Sequence, residues 1–192
     1  VFVQAGLQYA LQKKFENPFA VLEMGFGTGL NALLTLMEAE RLQQPIHYTA
    51  VELYPLQKEE WQGLDYNAQL PDTKKLLHQL HEAEWNKPVV INNYFTIQKE
   101  KEDFLKFDTP QRFQVIYFDA FAPAAQPQFW TTEMFQKLFN LMQPGGVLVT
   151  YCSKSIVRRA LEAAGFIVTK LQGPPGKREM VRAETPSRGE LT

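Results

Sequence analysis

Cysteine occurs once in the 192 residues, as Cys152. That excludes a disulfide framework and a cysteine-built zinc site, and it fits a reducing, cytoplasmic setting. Cys152 itself reads as a small buried residue rather than a nucleophile. Histidine is scarce too. His47, His78 and His81 have no metal-ligand spacing, and the last two, three apart on a polar helical stretch, read as solvated. No metal is expected. No apolar run approaches the roughly 20 residues of a membrane-spanning helix, and no signal-peptide pattern is present. Internal repeats and low-complexity tracts are lacking. So is an opening methionine: Val1 starts in mid-pattern, and an upstream segment is expected to be missing. The net charge is only −1, but its distribution is uneven. Residues 1–150 carry 12 Lys/Arg and 17 Asp/Glu, whereas residues 151–192 carry 8 and 4. A basic C-terminal part suits a polyanionic partner, although charge alone does not separate this from an ordinary solvated surface.

The chain is organised around Val21-Leu22-Glu23-Met24-Gly25-Phe26-Gly27-Thr28-Gly29-Leu30-Asn31. A short apolar run ends in an acid, three glycines follow at alternate positions, and a helical pattern begins. Glycine admits positive φ and close approach of a ligand to the backbone, and the helix start offers unpaired N–H groups. A nucleotide-like cofactor docks at such a turn in an α/β protein. A dinucleotide fingerprint would need its third glycine at position 30, where Leu30 stands, and no Lys-Ser/Thr pair follows to make a phosphate-gripping loop.

The remaining pattern alternates strands and helices. Ala20–Met24, Ile46–Glu52, 95–98, Gln114–Phe118 and Val147–Tyr151 read as strands. Asn17-Pro18 punctuates the approach to the first of them. Helices are expected to about Gln43, from Pro55 through Leu64, over 72–86, from Phe129 to Met142, and from a Ser155 cap to Gly165. Two closing strands, Phe166–Leu171 and Glu179–Ala183, flank Gly173-Pro174-Pro175-Gly176, a link too short for a parallel crossover. One domain is expected over residues 1–192. Its fold class is α/β: a doubly wound, mostly parallel sheet with a C-terminal antiparallel hairpin. This pattern resembles class I S-adenosylmethionine-dependent methyltransferases.

S-adenosylmethionine has no phosphate but carries a cationic amino group and a sulfonium, so an acid beside the glycines suits it. Glu23, Gly25, Phe26, Gly27, Thr28, Gly29 and Asn31 are the candidate cofactor-binding turn, with Glu23 at the methionine end. The other acids follow strands, where α/β sheets bind ligands. Glu52 would accept from the ribose hydroxyls and Asp103 from the adenine amino group. Asp119 would lie beside the sulfonium methyl. There it would contact the cofactor and receive a proton from an amine acceptor, which must be neutral to attack, or orient that amine while water takes the proton. The Phe121–Pro127 loop would wall an acceptor pocket, with Phe121, Pro123, Phe129 and Trp130 against a base, although these aromatics would equally serve as core. Lys154, Arg158 and Arg159, and Lys177, Arg178 and Arg182, would face phosphates, with Arg158 or Arg178 alternatively in structural ion pairs.

Taken together, the stretches Glu23–Asn31, Asp119-Ala120-Phe121-Ala122-Pro123 with Pro127 and Trp130, Val157–Leu161 with Ala164-Gly165-Phe166, and Gly176-Lys177-Arg178-Glu179-Met180 resemble the MnmC-like methyltransferase family. This is the methyltransferase half of the bifunctional tRNA 5-methylaminomethyl-2-thiouridine biosynthesis proteins, with its stand-alone relatives. Glu52 fits the family as well. The likeness runs from about Val1 to Arg182. It implies methyl transfer from S-adenosylmethionine to the aminomethyl group of a wobble uridine in tRNA, with Asp119 at the catalytic centre. It also implies that other enzymes supply the amine, because no second glycine fingerprint for an FAD-dependent oxidase is present. The chain departs from the family at Glu102-Asp103, where a Gly-Asp pair is common, and at Gly173–Gly176, which replaces a more aromatic run. Two other readings remain: a methyltransferase of this fold acting on a small-molecule or protein amine, and a non-catalytic cofactor- or RNA-binding module.

Overall fold

The computed structural model describes residues 1–13, 15, 18–66, 68–176, 178–187 and 189. Asn17 and Lys177 lie outside the described residues. In chain order the structure has a π-type helix Val3–Gln8, then β1 Phe19–Met24, α1 Leu30–Leu42, β2 Ile46–Val51, α2 Lys58–Gln62, α3 Lys74–Glu82, β3 Pro88–Asn92, β4 Phe95–Glu100 and β5 Phe113–Phe118. A 3-10 turn Pro127–Phe129 follows, then α4 Thr132–Asn140, β6 Met142–Thr150, α5 Ser155–Ala163, β7 Ile167–Gln172 and β8 Glu179–Glu184. The chain divides into two compact units, one of Val1–Met24 with Asp108–Thr192, the other of Gly25–Phe107.

In the first unit the strand order is β1-β5-β6-β8-β7. β1 and β5 are buried at every position and pair in parallel, Val21 opposite Val115 and Leu22 opposite Ile116. Continuous apolar runs are what a parallel strand covered on both faces requires. β8 runs antiparallel to both β6 and β7, so the expected closing hairpin is present. The first residues, to which no element was assigned from sequence, pack tightly here. A Cβ on Gly6 would stand 3.1 Å from Val149 Cγ2, and Phe2 stacks on Tyr117 at 5.7 Å. Lys13 and Tyr9 both reach the Glu184 carboxylate, at 2.5 and 3.2 Å. The Arg182 guanidinium lies over the Tyr9 ring at 3.4 Å. Arg182 is therefore part of this packing and not a free phosphate contact, contrary to the sequence reading; a long cation on a half-buried strand covers apolar surface with its stem.

In the second unit the order is β3-β4-β2, with β2 and β4 parallel and β3 antiparallel to β4. The sequence reading missed β3. A proline at the first position of an edge strand loses no ladder bond, and the two-residue link Asn93-Tyr94 makes a second antiparallel hairpin. The helix expected from Pro55 is only α2. Gln57 and Glu60 form a reciprocal capping box at its start. Two other helix starts also differ. Thr131 caps α4 by accepting from Met134 N at 3.1 Å. Ser155 opens α5 as its first residue, preceded by Lys154, with no side-chain cap. Among the described residues no helix is long and apolar enough to cross a membrane, and no group of three or more His, Cys, Asp or Glu is placed to hold a metal.

Candidate active site

The glycine turn belongs to the second unit, and its five residues divide the work. Gly25, Gly27 and Gly29 all have positive φ, at 82°, 50° and 77°. A side chain on Gly27 would meet nothing within 4 Å, so this is where a ligand can come against the backbone. At Gly29, by contrast, a Cβ would stand 3.1 Å from Phe26 Cζ and 3.2 Å from His81 Nε2, so this glycine answers to internal packing. Phe26 turns its ring into the unit's interior, edge-on to His81 at 5.0 Å. What Phe26 offers the turn is its N–H. Asn31 lies in the first turn of α1, and its carbonyl accepts from Thr35 Oγ1 at 2.7 Å.

Glu52 sits just past β2 and faces the same turn. Its Oε2 accepts from the N–H of Phe26 at 3.1 Å and of Gly27 at 3.2 Å, and its Oε1 accepts from Tyr54 N at 2.9 Å. A carboxylate has about four acceptor positions, so Glu52 can brace the turn and still take a ligand hydroxyl. Asp103 follows β4, where its Oδ1 accepts from Leu105 N at 3.0 Å. These features fit S-adenosylmethionine: open space at Gly27 for close approach, and a hydroxyl-accepting carboxylate at the turn. Glu23 belongs to the first unit, buried at the penultimate position of β1 opposite Tyr117.

Below the turn, of the two histidines expected in solvent one is buried and the other half-buried. His81 is buried, and its ring stacks on Trp61 at 5.2 Å; His78 is half-buried beside the same Trp61 at 5.4 Å. The polar look of α3 comes from its other face, and the aromatic partner lies outside α3 on α2, beyond the reach of helical periodicity. Lys99, only 1% exposed, sends its ammonium to the His81 carbonyl at 2.6 Å, with the Trp85 ring 4.6 Å away. Burial pulls the Lys99 pKa from 10.5 down to about 8. Burial also lowers the His81 pKa, against a hydrogen bond to Thr28 that raises it.

The first unit holds an open cavity of about 350 Å³ at the C-terminal ends of β5 and β6. Asp119, Pro123, Trp130, Lys154 and Arg178 all line it, so five of the sequence candidates share one pocket. Trp130 is buried, and its Nε1–H donates to the Phe121 carbonyl at 2.9 Å, fixing the loop. Gln126 Oε1 accepts from Phe121 N at 3.2 Å and closes the loop's other side. Phe129 is buried as core, whereas Phe121 leaves its ring 73% exposed. Tyr151, Cys152 and Glu179 also line the cavity. Cys152 is half-buried, not the core residue expected from sequence. Tyr151 was missed because it reads as the end of an apolar strand. The rule that found the acids, that strand ends bind ligands, would have found it. Burial and the nearby Asp119 carboxylate push the Tyr151 hydroxyl up in pKa.

Charges of both signs line the cavity, Lys154 and Arg178 with Asp119 and Glu179. Lys170 binds Glu179 at 2.7 Å. That hydrogen bond, with the charges of Lys170, Arg158 and Arg178, holds the Glu179 carboxyl below its usual range. Arg158 is tied inward, its Nε donating to the Ser153 carbonyl at 3.3 Å. Arg159 is exposed on α5.

A family model described as S-adenosyl-L-methionine-dependent methyltransferase matches residues 77–186, more than half of the chain. The chain belongs to this family. The methyltransferase is 30% identical over 177 residues to the tRNA 5-methylaminomethyl-2-thiouridine biosynthesis bifunctional protein MnmC of Campylobacter hominis. That match covers 88% of the chain but only 26% of the relative, so the chain spans about a quarter of that protein. MNMC2 from Aquifex aeolicus has the same fold, with a TM-score of 0.73 at 21% identity, over 96% of this chain and 59% of that one. CalS10 of Micromonospora echinaspora, an amino pentose methyltransferase solved with S-adenosylmethionine bound, matches at a TM-score of 0.54 and 13% identity, over 93% of this chain and 86% of that one. The methyltransferase fold is thus the class I fold, a mixed sheet that is mostly parallel with antiparallel C-terminal strands.

Proposed function

We propose that this chain, working as one methyltransferase domain, methylates the aminomethyl nitrogen of a modified wobble uridine in tRNA, giving 5-methylaminomethyl-2-thiouridine. The observation that carries the reading is the cavity in which the Asp119 carboxylate shares walls with Trp130 and a rim of Lys154 and Arg178. An acid for an amine, a flat wall for a base and cations for phosphates are the chemistry of a charged nucleotide acceptor. The likeness to the Campylobacter hominis protein supports the same acceptor.

The turn from Gly25 to Gly29, with Asn31, Glu23, Glu52 and Asp103, would hold S-adenosylmethionine. When bound, S-adenosylmethionine supplies an electrophilic methyl on its sulfonium. Asp119 accepts a hydrogen bond from the neutral amine and orients its lone pair. As the new nitrogen–carbon bond forms, the sulfonium–methyl bond breaks and its electron pair stays on the sulfur, which would leave as the neutral thioether of S-adenosylhomocysteine; the nitrogen becomes cationic, and its proton would pass to the Asp119 carboxylate and on to water. Trp130 and Pro123 confine the uracil, and the exposed Phe121 ring would cover it. Lys154 and Arg178, with Arg158 and Lys177, would neutralise phosphates on either side. The partners implied are tRNA and the enzymes that install its aminomethyl group.

The test is mass analysis of nucleosides from tRNA bearing aminomethyl-2-thiouridine, treated with the protein and S-adenosylmethionine. One methyl gained on the wobble nucleoside supports the proposal. Unchanged tRNA, with a methyl gained by a small amine or a protein amine instead, refutes this acceptor.

A further inference from the structure

The cofactor turn needs something to hold it. Three glycines in five residues leave a backbone with unusual freedom, yet Gly25, Gly27 and Gly29 each take one defined left-handed conformation. On one side the Glu52 carboxylate gathers the N–H groups of Phe26 and Gly27. On the other, His81 Nε2 lies 3.0 Å from the carbonyl oxygen of Thr28, the residue between Gly27 and Gly29.

We propose that His81 is a positioning residue for the cofactor: its Nε2–H, donated to the Thr28 carbonyl, sets the turn in the shape that leaves Gly27 open. A carbonyl oxygen only accepts, so Nε2 must carry the hydrogen. The ring itself cannot drift. It stacks on Trp61 with an interplanar angle of 11°, and Phe26 meets its face edge-on. Its own backbone carbonyl is held by the Lys99 ammonium. A Cβ at position 29 would stand 3.2 Å from Nε2, so the imidazole reaches the turn only because residue 29 is glycine. The glycines therefore have separate duties: Gly27 leaves room for the ligand, and Gly29 leaves room for the histidine. The inference rests on the reading of this turn as the cofactor site.

Binding of S-adenosylmethionine to the whole chain, measured by calorimetry, tests it with two variants. His81→Phe keeps an aromatic ring against Trp61 and removes the donor. His81→Gln loses the ring and keeps an N–H at similar reach. We expect His81→Phe to weaken binding by about tenfold, the scale of one lost hydrogen bond. KM for S-adenosylmethionine should rise while kcat at saturation is kept, and His81→Gln should recover most of the affinity. Wild-type affinity in His81→Phe, or equal loss in both variants, overturns the proposal, because the ring and not its donor would then matter. Nitrogen NMR of the wild-type imidazole keeps the idea testable if either variant fails to fold: protonated Nε2 at pH 7.5 supports it, and protonated Nδ1 overturns it. If the wild type binds no S-adenosylmethionine, the cofactor reading falls, and the NMR result still decides the histidine's role at the turn.

Discussion

The glycine turn and the Asp119 cavity are built on opposite principles. The turn is held by hydrogen bonds to its backbone, from Glu52 on one side and His81 on the other, over a buried layer of Phe26, Trp61 and Lys99. The cavity is walled by side chains, several on a loop tied by Trp130 to the Phe121 carbonyl, by Gln126 to the Phe121 N–H and by turn hydrogen bonds from Ala125 and Gln126 to the Ala122 carbonyl. A backbone-built site recognises a constant ligand and tolerates no change in the turn. A side-chain-built site chooses its ligand, and loop replacement retunes it. The proposed roles fit that division, with a cofactor common to a whole fold of enzymes at the turn and an acceptor particular to each at the cavity.

Substitutions should separate the two regions cleanly. The largest effect is expected for Asp119→Ala. Methyl transfer should fall by roughly 10²–10⁴-fold, the range of a lost general base, while calorimetric affinity for S-adenosylmethionine stays near wild type. Parallel loss of cofactor affinity would mean that Asp119 belongs to the turn's function and not to the pocket's.

Next come the glycines. Gly29→Ala forces a side chain into φ 77° against Phe26 and His81. Left-handed strain alone costs about 1–2 kcal/mol, and the crowding adds to it, so the melting temperature should drop by several degrees. Gly27→Ala has the strain but no neighbour within 4 Å. It should lose less stability than Gly29→Ala and more cofactor affinity. Thermal melts with and without S-adenosylmethionine rank the two, and the reverse ranking would break the division of duties.

A smaller effect is expected on the rim of the cavity. Arg178→Ala should raise KM for tRNA several-fold and lower the salt dependence of tRNA binding by about one counterion. The KM for S-adenosylmethionine should not move. Filter binding across a salt series measures this.

The smallest effect is a pH dependence confined to the turn's foundation. Lys99 titrates at about 8 in the folded chain against 10.5 when free. Between those values the unfolded chain binds more protons, so stability rises with pH across this window and the gain is lost as pH falls back towards 8. Lys99→Met should lack that rise in urea melts at pH 7.5 and 9.5. His81 works the same way lower down. Its folded pKa is below 6.5, the unfolded state takes up more protons under that value, and stability should fall as the solution is acidified below about pH 6.5.

Much of the frame was legible because its signals are local. The glycine spacing, the apolar runs of β1 and β5, and the turn at Gly173–Gly176 are read within a few residues, and the structure has them where expected. Asp119, Pro123, Trp130, Lys154 and Arg178 do converge on one cavity. What stayed hidden depends on residues far apart in sequence. His81 looks solvated until Trp61 is placed against it, and Lys99, to which no role was assigned from sequence, is buried beside Trp85. Arg182 passes for a phosphate ligand until Tyr9, some 170 residues earlier, lies under it. Strand β3 escaped because an exposed edge strand starting at Pro88 has neither the continuous apolar run nor the clean alternation of a buried one.

The most direct test of the whole account gives the protein S-adenosylmethionine with an isotopically labelled methyl and tRNA carrying the aminomethyl wobble uridine, beside an identical reaction with Asp119→Ala. The account predicts label on the wobble nucleoside with the wild type and almost none with the variant, although both bind the cofactor. Label on any other nucleoside, or equal label from the two proteins, would contradict it.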